Sequence, residues 1–169
     1  MLCRYPGCTD RAVLMGAPVV PYRKLGPQIS RAFLTFMGNH PRCQPLGKRL
    51  LATRLYGHLV ARFLNMYRYD RALVDRCGLT GRRAIKPRTL FEMGKSVTNY
   101  DLVGSLGRLT VPTRLIYGHQ DGIVDHQKIS ELVQKNPALS LAYVENAGHV
   151  VSLEKPAETA RILWLQDQS

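Results

Sequence analysis

Two apolar runs separated by one helical pattern constrain this chain more than any other feature in it. Residues 113–118, TRLIYG, are introduced by Val111-Pro112 and closed by Gly118, and residues 139–145, LSLAYVE, form the second run. Between them lies HQKISELVQKN, with Ile129, Leu132 and Val133 at helical spacing and Asn136-Pro137 as its stop. A continuous apolar run suits a strand covered on both faces, so strand, helix and strand with short loops predict a βαβ unit on a parallel sheet. RAVLMGAPVV, residues 11–20, is a third run, ended by Pro18 and Pro21, and predicts a strand over 12–17. After the last strand comes KPAETARILWLQ, where Pro156 suits a first helical turn and Ile162, Leu163 and Leu165 supply an apolar side.

The middle of the chain is built differently. Residues 28–38 and 46–67 read as helices, the second with Leu51, Leu55, Leu59 and Phe63 on an i, i+4 ladder. Shorter helical candidates at 68–77 and 87–97 are broken by Gly78, Gly81 and Pro87. This helical insert, residues 21–100, is also the cationic part of the chain. It holds sixteen of the 24 Lys and Arg against only three acids (Asp70, Asp75, Glu92), a net of +13, whereas the rest carries a net of −1. That asymmetry predicts two parts with different tasks, a core of residues 1–20 and 101–169 and a basic insert of 21–100.

Several function classes drop out on composition. With 169 residues, 45% of them apolar, the chain can bury a real core. No apolar run reaches the roughly 18 residues a membrane span needs. The opening MLCRYPGCTDR lacks a basic-then-apolar leader layout, which predicts a cytoplasmic location. Cys3, Cys8, Cys43 and Cys77 do not fit a zinc spacing and read as free thiols, and no metal or cofactor is expected.

In open parallel sheets, working side chains gather on loops beyond the carboxyl ends of the strands. YGHQDGIVD places Asp121 three residues past Gly118, and ENAGHVV places His149 at the tip of the next such loop. One crossover separates them, so both should emerge at the same edge of adjacent strands. An imidazole beside a carboxylate there is the base-and-orienter pair of a nucleophilic hydrolase: the carboxylate sets the His tautomer and stabilises the imidazolium that forms. His119 and His126 flank the acid loop in supporting or surface roles, and His40 and His58 read as packing or surface residues. Gly94-Lys95-Ser96 is not a phosphate-binding loop, because Thr89 stands where that motif needs glycine. VGSLG, residues 103–107, has the wrong spacing for a nucleophile turn.

These residues carry a family likeness. VPTRLIYGHQDGIVD…AYVENAGHVVSLEKPAETARILWL resembles the C-terminal third of the α/β-hydrolase superfamily, with an acid in a G-x-x-D turn, a histidine in a G-H turn, an acidic-Lys-Pro segment and a last helix. RYPGCTDRAVLMGAP resembles the end of that family's nucleophile helix and the strand after it. The resemblance implies a partial α/β-hydrolase fold of about three parallel strands with flanking helices and a helical cap insert. It implies Asp121 as triad acid and His149 as triad base. The insert occupies the place of the family's lid, whose apolar side would form an acyl pocket.

The family's nucleophile sits in G-x-S-x-G on a strand-to-helix turn. The chain contains no such motif. A helix of about eleven residues should separate that turn from the strand at 12–17, which puts the elbow at or before Met1. Cys3 and Cys8 lie in no glycine-flanked turn after a strand and do not replace it. The expected function is therefore an α/β-fold hydrolase, esterase-like or cleaving C–C or related bonds, represented by a fragment inactive alone. The complete enzyme would take a small-molecule acyl or carbonyl substrate and no cofactor. The alternatives are a non-catalytic remnant or interaction module using the basic cap, and a cofactor-free oxygenase relative using the same His–Asp pair. The cationic insert suits an anionic partner such as a phosphate-bearing thioester, a carrier protein or an anionic membrane. Nucleic acid is not favoured, since aromatic and basic residues do not interleave. An open edge on the first strand predicts self-association.

Overall fold

In chain order, the computed structural model contains β1 (Ala12–Met15), α1 (Leu25–Asn39), α2 (Gln44–Leu51), α3 (Arg54–Phe63), α4 (Thr80–Ala84), α5 (Pro87–Thr98), α6 (Val103–Leu106), β2 (Thr113–Gly118), α7 (His126–Lys135), β3 (Leu139–Val144), α8 (Val151–Glu154) and α9 (Pro156–Trp164). The structure describes residues 6–17, 19, 25–63, 72, 80–98 and 101–164. Cys3, Pro18, Pro21, Cys77, Gly78, Leu165 and, apart from Ala72, the helix expected over 68–77 lie outside the described residues.

All three apolar runs are strands. They pair in parallel in the order β1-β2-β3, with Leu14 opposite Leu115 and Leu115 opposite Leu141. Side chains alternate across the sheet, so β2 sends Leu115 and Tyr117 to one face and Ile116 to the other. The first face packs Leu139 of β3 with Leu106, Leu109, Ile129 and Leu132, from α6, α7 and the loop after α6. The second packs Ile116 and Val144 against Val151, Ile162 and Leu163 of α8 and α9. Helices on both faces explain why the strands read as unbroken apolar runs. The first strand stops at Met15, short of the predicted 17, because Gly16 takes the left-handed region at φ 56°.

Asn136, expected only as a helix stop, does more. Its buried amide donates to the carbonyls of Leu106 (2.8 Å) and Leu109 (2.9 Å) and accepts from Ala138 N–H (3.0 Å). One side chain thereby pairs with three backbone groups and ties α6, its following loop and the entry to β3 together. At the other end of α7, Asp125 accepts from Lys128 N–H at 3.1 Å and supplies the N-cap.

The described residues fall into two compact units, one holding those up to 19 and from 101 onward, the other those between 25 and 98. The second unit is helical. Met37, Leu51 and Phe91 form its core, with Phe33, Leu34, Tyr56 and Leu90 packed around them. Phe33 and Phe91 meet edge to face at 6.1 Å. Here the sequence expectation of one helix over 46–67 is corrected. The hydroxyl of Thr53 donates to Leu50 O (2.8 Å) and accepts from Tyr56 N–H (3.2 Å), so a new helix starts at Arg54. The break rotates the ladder out of register: Leu51 is buried, but Leu55 and Leu59 are 71% and 46% exposed.

Candidate active site

Asp121 and His149 lie beyond the carboxyl ends of adjacent parallel strands, and the fold joins them. His149 Nδ1–H donates to Asp121 Oδ2 at 2.9 Å. The carboxylate is fully buried and the imidazole 15% exposed. The other carboxylate oxygen, Oδ1, accepts from Ile123 N–H (2.9 Å) and Val124 N–H (3.4 Å). A buried carboxylate is tolerable only when its lone pairs are taken up this way. With Nδ1 donating, the ring presents Nε2 as a proton acceptor.

The two loops are stitched to each other. His119 N–H donates to Val144 O, Gln120 N–H donates to Ala147 O, and Ala147 N–H donates back to the Gln120 side chain, each at 3.0 Å. Two glycines make room beneath the histidine loop. A Cβ on Gly118 would collide with the carbonyls of Ala147 and Gly148, and one on Gly16 would sit 2.5 Å from the His149 carbonyl. The ends of β1 and β2 must therefore be bare for the loop to cross them.

Glu154 holds the loop from its far side. Its carboxylate accepts from Gly148 N–H (3.0 Å) and Val150 N–H (3.1 Å), the amides on either side of His149. On the acid loop, His126 Nε2–H donates to the Asp121 carbonyl at 2.9 Å, and its Nδ1 lies 3.3 Å from the Tyr143 hydroxyl. His119 instead pairs with Glu145 at 2.7 Å in an exposed position. Tyr117, buried under the site, donates to Ala17 O at 2.9 Å. Burial, and next the Asp121 charge, raise its phenol above the ordinary tyrosine range.

No family model matches the chain. It is 32% identical over 77 residues to monoacylglycerol lipase ABHD6 of Bos taurus, a stretch covering 45% of this chain and 23% of that protein. The fold comparison is wider. A thermophilic esterase from Thermogutta terrifontis superimposes with a TM-score of 0.69 at 15% identity, covering 98% of this chain and 59% of the esterase. Bromoperoxidase from Bacillus anthracis superimposes with a TM-score of 0.68 at 13% identity, covering 99% of this chain and 63% of that one.

These likenesses show an α/β-hydrolase fold. The chain spans about a quarter of the length of the curated relatives it matches. It carries three parallel strands with flanking helices, a partial version of that fold. Gly94, Lys95 and Ser96 lie within helix α5, and Val103–Leu106 is a helical turn, so neither forms a loop after a strand. Cys8 and Cys43 are free. Among the described residues no cluster of His, Cys, Asp or Glu could hold a metal ion, and no helix is long and apolar enough to cross a membrane.

Sequence reasoning missed Gly16, Gly118, Gln120 and Glu154. Glu154 left a faint signal, an acid in a first helical turn reaching back to the N-cap amide, one position later than a capping box requires. The glycines read only as strand ends, since nothing local says which backbone crosses them.

Proposed function

We propose that this chain supplies the acid and base of a hydrolase triad acting on carboxylic esters, with Asp121 as acid, His149 as base and residues 21–100 as the cap. The 2.9 Å contact between His149 Nδ1 and Asp121 Oδ2, at the carboxyl ends of adjacent strands, carries the reading. In the reaction, Nε2 takes the proton of a nucleophile hydroxyl as its oxygen attacks the ester carbonyl. The proton then passes to the leaving alcohol, while Asp121 holds the ring and stabilises the imidazolium. The ester class is supported by the names of the proteins it is similar to, a monoacylglycerol lipase and several esterases. With no G-x-S-x-G among its residues, the chain alone is inactive on this reading.

Nitrogen-15 NMR of the histidine rings tests the pair. Neutral His149 should carry its proton on Nδ1, and Asp121→Asn should shift the tautomer. In any form that turns over esters, the same change should lower kcat by about four orders of magnitude. A His149 indifferent to Asp121→Asn would sink the triad reading. Labelling of this chain by a fluorophosphonate would overturn its inactivity and reveal a working serine.

A further inference from the structure

The second unit exposes leucines on two helices, α2 and α3, whose own sequences contain Lys and Arg but no acid. In α2, Gln44, Gly47 and Leu51 are buried, whereas Leu46 and Leu50, one turn apart, are 64% and 54% exposed. In α3, Gly57 is buried and the exposed pair Leu55 and Leu59 lies on the opposite side of the helix. Consecutive helices thus each present an i, i+4 leucine pair to solvent, an arrangement that gains free energy once covered. Residues 25–63 contain six Lys and Arg and no acid at all, and Arg42, Arg49 and Arg54 are exposed in or beside these helices.

Together the two features select one kind of surface. A nucleic acid would satisfy the cations but offers nothing for four leucines, and it stacks its bases on aromatics. The aromatic residue in these helices whose side chain is described, Tyr56, packs against the unit's core. A lipid bilayer with anionic headgroups takes both: leucine side chains enter the boundary between headgroups and acyl chains, and cations meet headgroup phosphates and carboxylates. No described helix is long and apolar enough to cross a bilayer, so these helices would lie on the surface.

We propose that α2 and α3 dock on an anionic lipid surface, with Leu46, Leu50, Leu55 and Leu59 inserted and Arg42, Arg49 and Arg54 contacting headgroups. The docking does not depend on the hydrolase reading, and a chain without esterase activity would bind equally well.

Flotation of the full chain with phosphatidylcholine vesicles, with and without phosphatidylserine, tests it. Binding should require phosphatidylserine and weaken as salt rises. Leu46→Ser with Leu55→Ser should weaken binding about tenfold or more through lost burial, and Arg42→Glu with Arg49→Glu should do the same through lost charge. All four side chains are exposed, so circular dichroism should be unchanged. Insertion is read directly by Leu46→Trp in a Trp164→Phe background, whose emission should move to the blue when anionic vesicles are added.

Absent or salt-insensitive binding would overturn the proposal. So would binding that ignores both leucine changes, which would leave a surface attracted to any polyanion. Single-stranded DNA bound more tightly than the vesicles, with the introduced tryptophan unmoved, would assign the charge to nucleic acid instead.

Discussion

His149 is held at the ring by Asp121 and at the backbone by Glu154, and the two restraints act on different freedoms. Asp121 sets which ring nitrogen carries the proton, whereas Glu154 fixes the amides of Gly148 and Val150 and with them the direction of the side chain. Hydrogen bonds to a charged acceptor contribute more than neutral ones, and a part-buried amide left without a partner adds a desolvation cost. Glu154→Ala should therefore destabilise the chain by about 1–3 kcal/mol. Glu154→Gln keeps one acceptor oxygen and should cost clearly less. Urea midpoints for the two variants check the order, and equal costs would mean that the carboxylate holds nothing. Gly16 and Gly118 act at the same place by having no side chain, since a Cβ at either would meet the loop's own carbonyls.

Elements whose burial is two-sided were the easiest to read. β2 and β3 match their predicted ranges to within a residue, because parallel strands between helical layers must be apolar throughout. The helix over 46–67 was the hardest. A leucine ladder says only that a stripe is apolar, and it ran straight through a capping threonine. Thr53→Ala removes the acceptor for Tyr56 N–H and should cost about 0.5–2 kcal/mol. Chemical denaturation measures it, with a loss of helical circular dichroism as the companion sign. No change in either would mean that the break between α2 and α3 is set by packing alone.

At the scale of the whole molecule, charge separates between the two units. The balanced unit holds the acid–histidine pair and a buried tyrosine, while the cationic unit holds the two exposed leucine pairs of α2 and α3. Tyr117 links the first unit to pH. Its phenol is raised in the folded state, so the neutral form is favoured by folding, and this contribution is complete below the unfolded value of about 10. As pH climbs above that value the contribution is lost. Thermal stability should therefore fall on the alkaline side, with one tyrosine resisting ionisation until unfolding. Tyr117→Phe should flatten that part of the profile. A full phenolate titration while the chain stays folded would contradict it.

By itself the sequence determined the strands, the helix between them and the two loops that carry Asp121 and His149. All of these follow from local period, prolines and glycines, which act over a few residues. What only the tertiary structure decided is how close those loops come and what keeps them there. Gly118 lies beneath the loop that starts after Val144, and Glu154 reaches back across six residues to Gly148. Which face of α2 and α3 is buried was also decided there, because one hydroxyl at Thr53 outweighs the periodicity on both sides of it. Side-chain period reports what a segment could bury, and only packing settles what it does bury.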